Sequence, residues 1–389
     1  MSNDQIASVQ CHPVAPRWLF IRVETRQGLV GWGEAIVPKR ARAVAGAVAD
    51  LADNITGNNP DRIEDLVLRM NHGAFFRDGS VLATAAAGIE QALWDIKGKR
   101  YGLAVHDFLG GAVRDRVRLY AWIGGDRPSG VAEDARQRIA QGFTMVKMNA
   151  TEELDYIDTR SKVSGVIERV ASIRDAVGDK LEIALDFHGR VHRAMVKVLV
   201  RELEPYHPAW IEEPVAPGFE SELVHLLSPD CSIPIATGER LTHRTALREV
   251  LRHGVVDIVQ PDVSLTGIHE LVKIAHMAEA YDVAVAPHCP NGPLSLAASL
   301  QAGSAVTNVV VQEQSLGLHY NQGYAGLPAA EMFDYLTDPT PLTPIEGHLN
   351  VLTGHGLGIT IDEAAVKDSS PWSLRDPDWR HADGRTAEW

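Results

Sequence analysis

The sequence predicts an α/β protein, a (β/α) barrel preceded by a smaller α+β domain. Three observations predict it. The chain opens on an antiparallel meander, and strand and helix patterns alternate from about residue 117. Three acidic residues at near-equal intervals each close a short apolar run.

The meander covers about residues 5 to 36. Arg17-Trp-Leu-Phe-Ile-Arg-Val-Glu24 and Leu29-Val-Gly-Trp-Gly-Glu34 flank a glycine-containing turn at 25–28, which reads as an antiparallel hairpin. Helices are expected at 43–55 and 81–101. In the second, Ala86, Ile89, Leu93 and Ile96 recur at helical spacing.

Eight strand candidates follow, at 117–123, 144–148, 181–186, 208–211, 234–237, 256–260, 283–287 and 308–312. Helical patterns separate them, for example at 270–281. The polar stretch 151–160, in the only wide gap, reads as an insertion. Eight strands in such alternation point to a parallel barrel, whose chemistry sits just beyond the strands' carboxyl ends. A further strand at 357–361 is expected to return to the first domain. The tail from Lys367 is polar and free of repeats.

The acids stand where barrel chemistry must sit. Leu181-Glu-Ile-Ala-Leu185 delivers Asp186, Pro208-Ala-Trp-Ile211 delivers Glu212, and Pro234-Ile-Ala-Thr-Gly238 delivers Glu239. A strand-plus-helix unit takes roughly 25 to 30 residues, so neighbouring parallel strands bring three carboxylates side by side. Any one acid could simply cap the helix after it. Three in register, with His188 beside the first, favour an oxygen-rich cage suited to Mg2+. The other strand ends carry Lys147-Met-Asn149, Val259-Gln-Pro-Asp262, Ala286-Pro-His288 and Val311-Gln-Glu313. Asp262 and His288 can form a dyad in which the carboxylate fixes the imidazole tautomer. A hard cation with open positions suits an α-hydroxy carboxylate, whose C2 proton can be removed only if the dianion formed is stabilised. A second imidazole, His188, could then give a proton to a departing β-hydroxyl.

Bulk properties exclude other classes. The net charge of −14 argues against nonspecific nucleic-acid or membrane binding. No apolar run approaches the roughly 20 residues of a membrane span, and the start, Met1-Ser-Asn-Asp-Gln5, lacks the features of a signal peptide. Cys11, Cys231 and Cys289 are scattered, as reduced thiols of a cytoplasmic protein are. Ala121-Trp-Ile-Gly124 lacks the His-x-His of a metallohydrolase. Gly124-Gly-Asp-Arg-Pro-Ser-Gly130 lacks nucleotide-binding spacing. His225, His253 and His276 fall on helical stretches and read as surface or packing residues.

The chain resembles the mandelate racemase branch of the enolase superfamily, and within it the D-galactonate dehydratases. The resemblance rests on Ala15-Pro-Arg-Trp18, Gly31-Trp-Gly-Glu34, Gln91-Ala-Leu-Trp-Asp-Ile-Lys-Gly98, Leu185-Asp-Phe-His-Gly-Arg-Val191, Ile211-Glu-Glu-Pro-Val215, Ala278-Glu-Ala-Tyr-Asp-Val283, Val311-Gln-Glu-Gln-Ser315 and the closing Trp379-Arg-His381 and Ala387-Glu-Trp389. It implies a modified TIM barrel, (β/α)7β, with an α+β N-terminal capping domain (1–115), a barrel (116–325) and a C-terminal segment (326–389) that completes the capping domain. It also implies Asp186, Glu212 and Glu239 as Mg2+ ligands, His288 with Asp262 as the base at C2, and His188 as the acid at C3. Lys147 and Glu313 would contact the substrate carboxylate, with Asn149, Arg17 and Trp18 also at the substrate. Asn149 replaces the lysine of racemases and cycloisomerases, which argues against racemisation. The implied product is a 2-keto-3-deoxy acid, and the implied assembly a homo-oligomer. A dehydratase for another aldonate or aldarate, a racemase, and a sugar-acid-binding protein with little turnover are the alternatives.

Three stretches depart from the family pattern. Pro38 and Lys39 replace an acidic residue and a glycine, and Asp78 and Ser80 replace a glycine and a proline. Ser264-Leu-Thr-Gly267 is one residue short of the usual glycine pair.

Overall fold

The computed structural model describes residues 4–223, 231–369 and 378–388. Its N-terminal part is a three-stranded antiparallel sheet, β1 (Ile6–Val14), β2 (Trp18–Thr25) and β3 (Val30–Glu34), in the order β1-β2-β3. The hairpin turn falls where the glycine at 28 places it, with Gly28 at φ 84°. Helices Ala41–Ile55, Ile63–His72 and Ser80–Tyr101 follow.

Helix Ser80–Tyr101 lies so close on β3 that a Cβ at Gly33 would collide with the carbonyl oxygen of Gly88. Gly33→Ala is expected to destabilise by about 1–3 kcal/mol, since overpacked backbone must move apart; a lowered thermal midpoint would register it. The helix is not amphipathic in the usual sense. Beside Ile89 and Leu93 it also buries Thr84, Glu90, Gln91 and Asp95. Buried polar groups need partners, and Asp95 has three: the Trp32 amide at 3.0 Å, the Lys99 ammonium at 2.6 Å and the Leu357 amide at 3.0 Å.

The second part is a parallel sheet of seven strands in sequential order: β5 (Ala121–Trp122), β6 (Met145–Asn149), β7 (Glu182–Asp186), β8 (Trp210–Glu212), β9 (Ile235–Thr237), β10 (Ile258–Val259) and β11 (Ala284–Val285). The sheet curls. Residues 308–313 bond to one edge through Val310 N to Val285 O (2.9 Å) and, at the other, to the segment leading into β5 through Gln312 N to Arg118 O (2.9 Å) and Tyr120 N to Gln312 O (3.2 Å).

Strand periodicity then makes the site. Side chains at i and i+2 share a face. An inner apolar layer of Tyr120, Met145, Ala184, Trp210, Ala236, Ile258, Ala286 and Val311 forms its own buried cluster. Two residues further along the same strands or strand ends stand Lys147, Asp186, Glu212, His288 and Glu313. Ala184, Ala236 and Ala286 keep the layer small around the paired rings of Tyr120 and Trp210, 6.0 Å apart. The polar ring therefore rests on a packed floor.

Two expected elements differ. The stretch 117–123 divides, because its first half, β4 (Arg116–Arg118), pairs antiparallel with β12 (His348–Asn350) and only Ala121–Trp122 joins the parallel sheet. Instead of a strand, the stretch 357–361 has one isolated bridge, Leu336 with Ile361, and Gly356 just before it bridges Ala104. Glycines at 354, 356 and 358 interrupt it. The chain nevertheless returns to the N-terminal part through Leu357 on Asp95 and Ser369 Oγ on the Ala15 amide (3.0 Å). Among the described residues, no helix is long and apolar enough to cross a membrane. The three cysteines are free thiols. His253 and His276 are exposed, while His225 lies outside the described residues.

Candidate active site

Asp186 and Glu212 are register partners on β7 and β8, and Asn149 is the partner of Asp186 on β6. Glu239 follows β9 by two residues. Ligand oxygens of Asp186, Glu212 and Glu239 all lie within 4.8 Å of one another, and all three residues are buried. Burial, then the neighbouring Glu212 and Glu239, pushes the Asp186 carboxyl well above its ordinary value. Burial raises Glu239 to about 7, against the pull of His288. Asp186 Oδ2 is buried without a hydrogen-bond partner. Three converging carboxylates with an orphaned oxygen fit a hard divalent cation.

Of the pair at 212 and 213, only the first belongs to the cage. Glu213 is saturated by the Thr237 hydroxyl (2.9 Å), the Gly238 amide (2.9 Å) and Arg240. It fixes the turn that presents Glu239.

Lys147 lies beneath the cage with no exposed surface. Its ammonium is 2.5 Å from Glu212 Oε1 and 3.3 Å from Glu313 Oε1. Burial opposes its charge, but Glu212 and Glu313 outweigh that and raise its pKa well above the usual lysine value. Glu212 and Glu313 are in turn held below the usual carboxylate range, because Lys147 overcomes the effect of their burial. Glu313 also accepts from the Cys289 amide at 2.7 Å and from the Trp122 indole.

His288 Nδ1 is 2.7 Å from Asp262 Oδ2. Asp262 accepts from the Ser264 amide (2.7 Å) and from Asn291 Nδ2 at 3.2 and 3.1 Å. An ionised carboxylate so satisfied keeps the proton on Nδ1 and leaves the Nε2 lone pair as the base. Nε2 lies 3.6 Å from Glu239 and 3.8 Å from Glu313. Burial would lower this imidazole, yet Glu239, Glu313 and Asp262 together raise it to about 10, which favours the imidazolium; a cation held by the cage would offset Glu239 and free the Nε2 lone pair.

His188 has a different partner. It sits at φ 54°, its amide donating to Asp186 Oδ1 at 2.6 Å. Arg190 Nη2 donates to its Nδ1 at 2.8 Å. Nδ1 cannot carry a proton while it accepts from a guanidinium, so the ring proton in this arrangement is on Nε2. Arg190 also donates to the backbone carbonyls of Asp126 (3.3 Å) and Thr151 (3.4 Å).

Asn149 donates to the Asp126 carbonyl at 3.2 Å, and its Oδ1 is buried without a partner. Arg17 donates to the Pro290 carbonyl at 3.1 Å and lies 3.9 Å over the Tyr320 ring. Trp18 corrects an expectation. It is fully buried, stacked on Phe20 at 6.3 Å and edge-on to Tyr335 at 5.9 Å. Its bulk belongs to the core, with no surface for a substrate.

Several partners lay beyond the sequence reading. Asp126 accepts from the Tyr324 hydroxyl (2.6 Å), the Tyr320 hydroxyl (2.5 Å) and His319 (3.0 Å), tying the loop after β5 to the segment after 313. Arg190 lies inside the Leu185–Val191 stretch but carries no role in the sequence reading, and Asn291 belongs to none of the stretches singled out there. A cavity of about 840 Å3, lined by none of these residues, opens between the segment around Phe76, Arg77 and Asp78 and the residues Thr242, His243 and Thr266. Lys39 (φ 64°) and Asp78 (φ 76°), both standing where the family pattern has glycine, keep a left-handed backbone.

Residues 7–110 match the mandelate racemase / muconate lactonizing enzyme N-terminal domain, and residues 130–365 match the enolase C-terminal domain-like family. The chain is 47% identical to a D-galactonate dehydratase of Ralstonia pickettii over 99% of this chain and 100% of the relative. It is 45% identical, at the same coverage, to one of Xanthomonas euvesicatoria. Among solved structures, an enolase from Agrobacterium radiobacter with bound Na and L-malate superposes at a TM-score of 0.88, with 29% identity over 98% of this chain and 99% of that one. A mandelate racemase/muconate lactonizing enzyme from Jannaschia gives 0.83, at 29% identity over 95% and 98%. Full-length similarity on a fold with the same two domains leads to one family: the chain belongs to the enolase superfamily, to its mandelate racemase branch, and within that to the D-galactonate dehydratase family.

Proposed function

We propose that the protein is a metal-dependent hydro-lyase that converts a sugar acid, D-galactonate first among them, to the 2-keto-3-deoxy acid. The observation that carries this reading is a pair of imidazoles with opposite partners beside one carboxylate cage. His288 has its proton fixed on Nδ1 by Asp262, and His188 has its proton on Nε2 because Arg190 occupies Nδ1. One ring is configured to take a proton, the other to offer one. His288 removes the C2 proton, and His188 assists the departing C3 hydroxyl from Nε2. Asn149 is neutral and cannot serve as a second base, which favours elimination over racemisation. The orphaned Oδ1 of Asn149 and the guanidinium of Arg17 are the groups for substrate hydroxyls and charge.

Asp186, Glu212 and Glu239 would hold Mg2+, which when bound supplies neutralisation of the negative charge that develops on the substrate's carboxylate. Lys147 and Glu313 act from below by setting the charge of Glu212 and anchoring Cys289. The full-length D-galactonate dehydratase relatives support the substrate class, and the malate of the Agrobacterium enolase is itself an α-hydroxy acid. We read 308–313, bonded to one sheet edge and to the segment leading into the other, as the eighth strand of a (β/α)7β barrel (116–325), between a capping domain (1–115) and the segment that returns to it (326–389). The homo-oligomer expected of the family is tested by sedimentation of the same preparation.

The test is incubation with Mg2+ and a panel of aldonates and aldarates, scoring 2-keto-3-deoxy product. Turnover of D-galactonate is the expected result. Turnover of another acid with galactonate inert moves specificity to the loops at 35–40 and 76–80. Silence across the panel would sink the dehydratase reading.

A further inference from the structure

Both members of the base dyad are gripped from the N-terminal domain. Glu34, at the end of β3, is fully buried and accepts from the Gly292 amide at 2.7 Å and the Ser295 amide at 3.0 Å, one on each oxygen. These amides belong to the start of the twelve-residue helix Pro293–Ser304, whose positive end favours a carboxylate. Gly292 has no room for a side chain: a Cβ would lie 2.8 Å from both Glu34 Oε2 and Trp18 Cδ2. Between Gly292 and His288 each residue is fixed. Cys289 N is on Glu313, Pro290 O on Arg17, and Asn291 on Asp262. The dyad's other half is held in the same way. Glu90 accepts from the Ile268 and His269 amides at 2.8 and 3.0 Å, Thr84 donates to Ser264 O at 2.6 Å, and Gln91 donates to Val263 O at 3.1 Å. Gln91 also clips the Glu34 backbone, accepting from its amide at 3.0 Å and donating to its carbonyl at 3.2 Å.

We propose that Glu34 is a positioning residue for His288: its carboxylate, clamped on Gly292 and Ser295, sets the base-bearing segment against the cage. The inference rests on His288 being the base. It gives Gly-Trp-Gly-Glu34 a task beyond packing, Trp18 a task in place of substrate contact, and Arg17, through Pro290, a second task beside it. A group that must meet a C–H bond tolerates little displacement, since about 1 Å of misplacement costs on the order of 10²-fold. Burial raises the Glu34 carboxyl to about 7 despite two amide donors, so the fold keeps this acid at some cost.

Glu34→Gln turns one acceptor oxygen into an NH2 that faces an amide N–H. The expected result, measured per folded, metal-loaded site, is a fall of about 10- to 100-fold in both kcat for dehydration and the rate of C2 proton exchange, consistent with the misplacement cost above. KM should stay within about threefold. Glu34→Asp, which keeps the charge but withdraws the carboxylate, should fall likewise. Lys99→Met, which removes the Asp95 pair of the same domain, should lower stability and leave kcat unchanged. The downfield proton resonance of the His288–Asp262 hydrogen bond gives a readout independent of turnover, and it should shift in both Glu34 variants. Unchanged kcat per folded site with an unmoved resonance, in either Glu34 variant, overturns the proposal. A wild-type protein inert to every sugar acid, with a resonance that still moves in Glu34→Gln, overturns the dehydratase reading and leaves the positioning role standing.

Discussion

His288→Asn is expected to abolish C2 proton exchange with solvent deuterium and dehydration together, a loss of at least about 10³-fold, within the span of a single general base. The reason is geometric. Asp262 at 2.7 Å commits Nδ1 to donation, so Nε2 is the basic nitrogen, and it lies at the cage, 3.6 Å from Glu239. Asparagine keeps a polar group near Asp262 but has no basic lone pair. His188→Asn should separate the two activities: dehydration falls by a comparable factor while exchange at C2 persists, because the Asp262–His288 pair is untouched. Nuclear magnetic resonance of the recovered sugar acid in deuterium oxide reads exchange, and product assay reads elimination. Loss of exchange in a folded, metal-binding His188→Asn protein would show that the two imidazoles do not divide the work in this way.

The carboxylate cluster and the contact between His288 and Asp262 were legible because both follow from strand periodicity. An acid that closes an apolar run on a parallel strand stands at the strand's carboxyl end, and Asp186 and Glu212, each the last residue of its strand, are paired in register. The supports were not legible. Arg190 reaches His188 only because His188 takes a left-handed turn, and no short-range pattern announces that conformation. Helix Ser80–Tyr101 shows the same limit. Its apolar stripe was visible, but Thr84, Glu90, Gln91 and Asp95 look in sequence like a solvated face. They are buried because other layers cover them and supply partners: the 263–269 segment for Thr84, Glu90 and Gln91, and β3 with the 357 segment for Asp95. The division of 117–123 between two sheets, and the reduction of 357–361 to an isolated bridge, have a related cause. Each segment's hydrogen bonds go to partners far along the chain, which local propensity does not encode. Lys147 was found at the correct strand end, yet its burial beneath Glu212 depends on the packed floor of Tyr120 and Trp210, which becomes apparent only when the strands are assembled.

Glu212→Gln should couple metal affinity to fold stability. Lys147 has no exposed surface and loses its 2.5 Å partner in this variant, keeping only Glu313 at 3.3 Å. Breaking a buried ion pair from one side costs about 3–5 kcal/mol, because the remaining charge is left poorly compensated. The thermal midpoint of chelator-treated protein should therefore fall. In wild type, added Mg2+ should raise that midpoint, by the equivalent of about 2.7 kcal/mol when the ion is at 100 times its Kd. In Glu212→Gln the rise should shrink towards nothing, since a ligand of the cage is gone. If the midpoint falls but the metal-dependent rise is intact, Glu212 is a partner of Lys147 alone and leaves the ligand set. Lys147→Met provides the mirror image. Without the ammonium, Asp186, Glu212, Glu239 and Glu313 crowd a buried space with no fixed cation, so the metal-free protein should be destabilised and the rise on adding Mg2+ should exceed that of wild type. The pair of variants thus separates two sources of positive charge for one set of carboxylates: a lysine built into the floor, and an ion delivered from solvent.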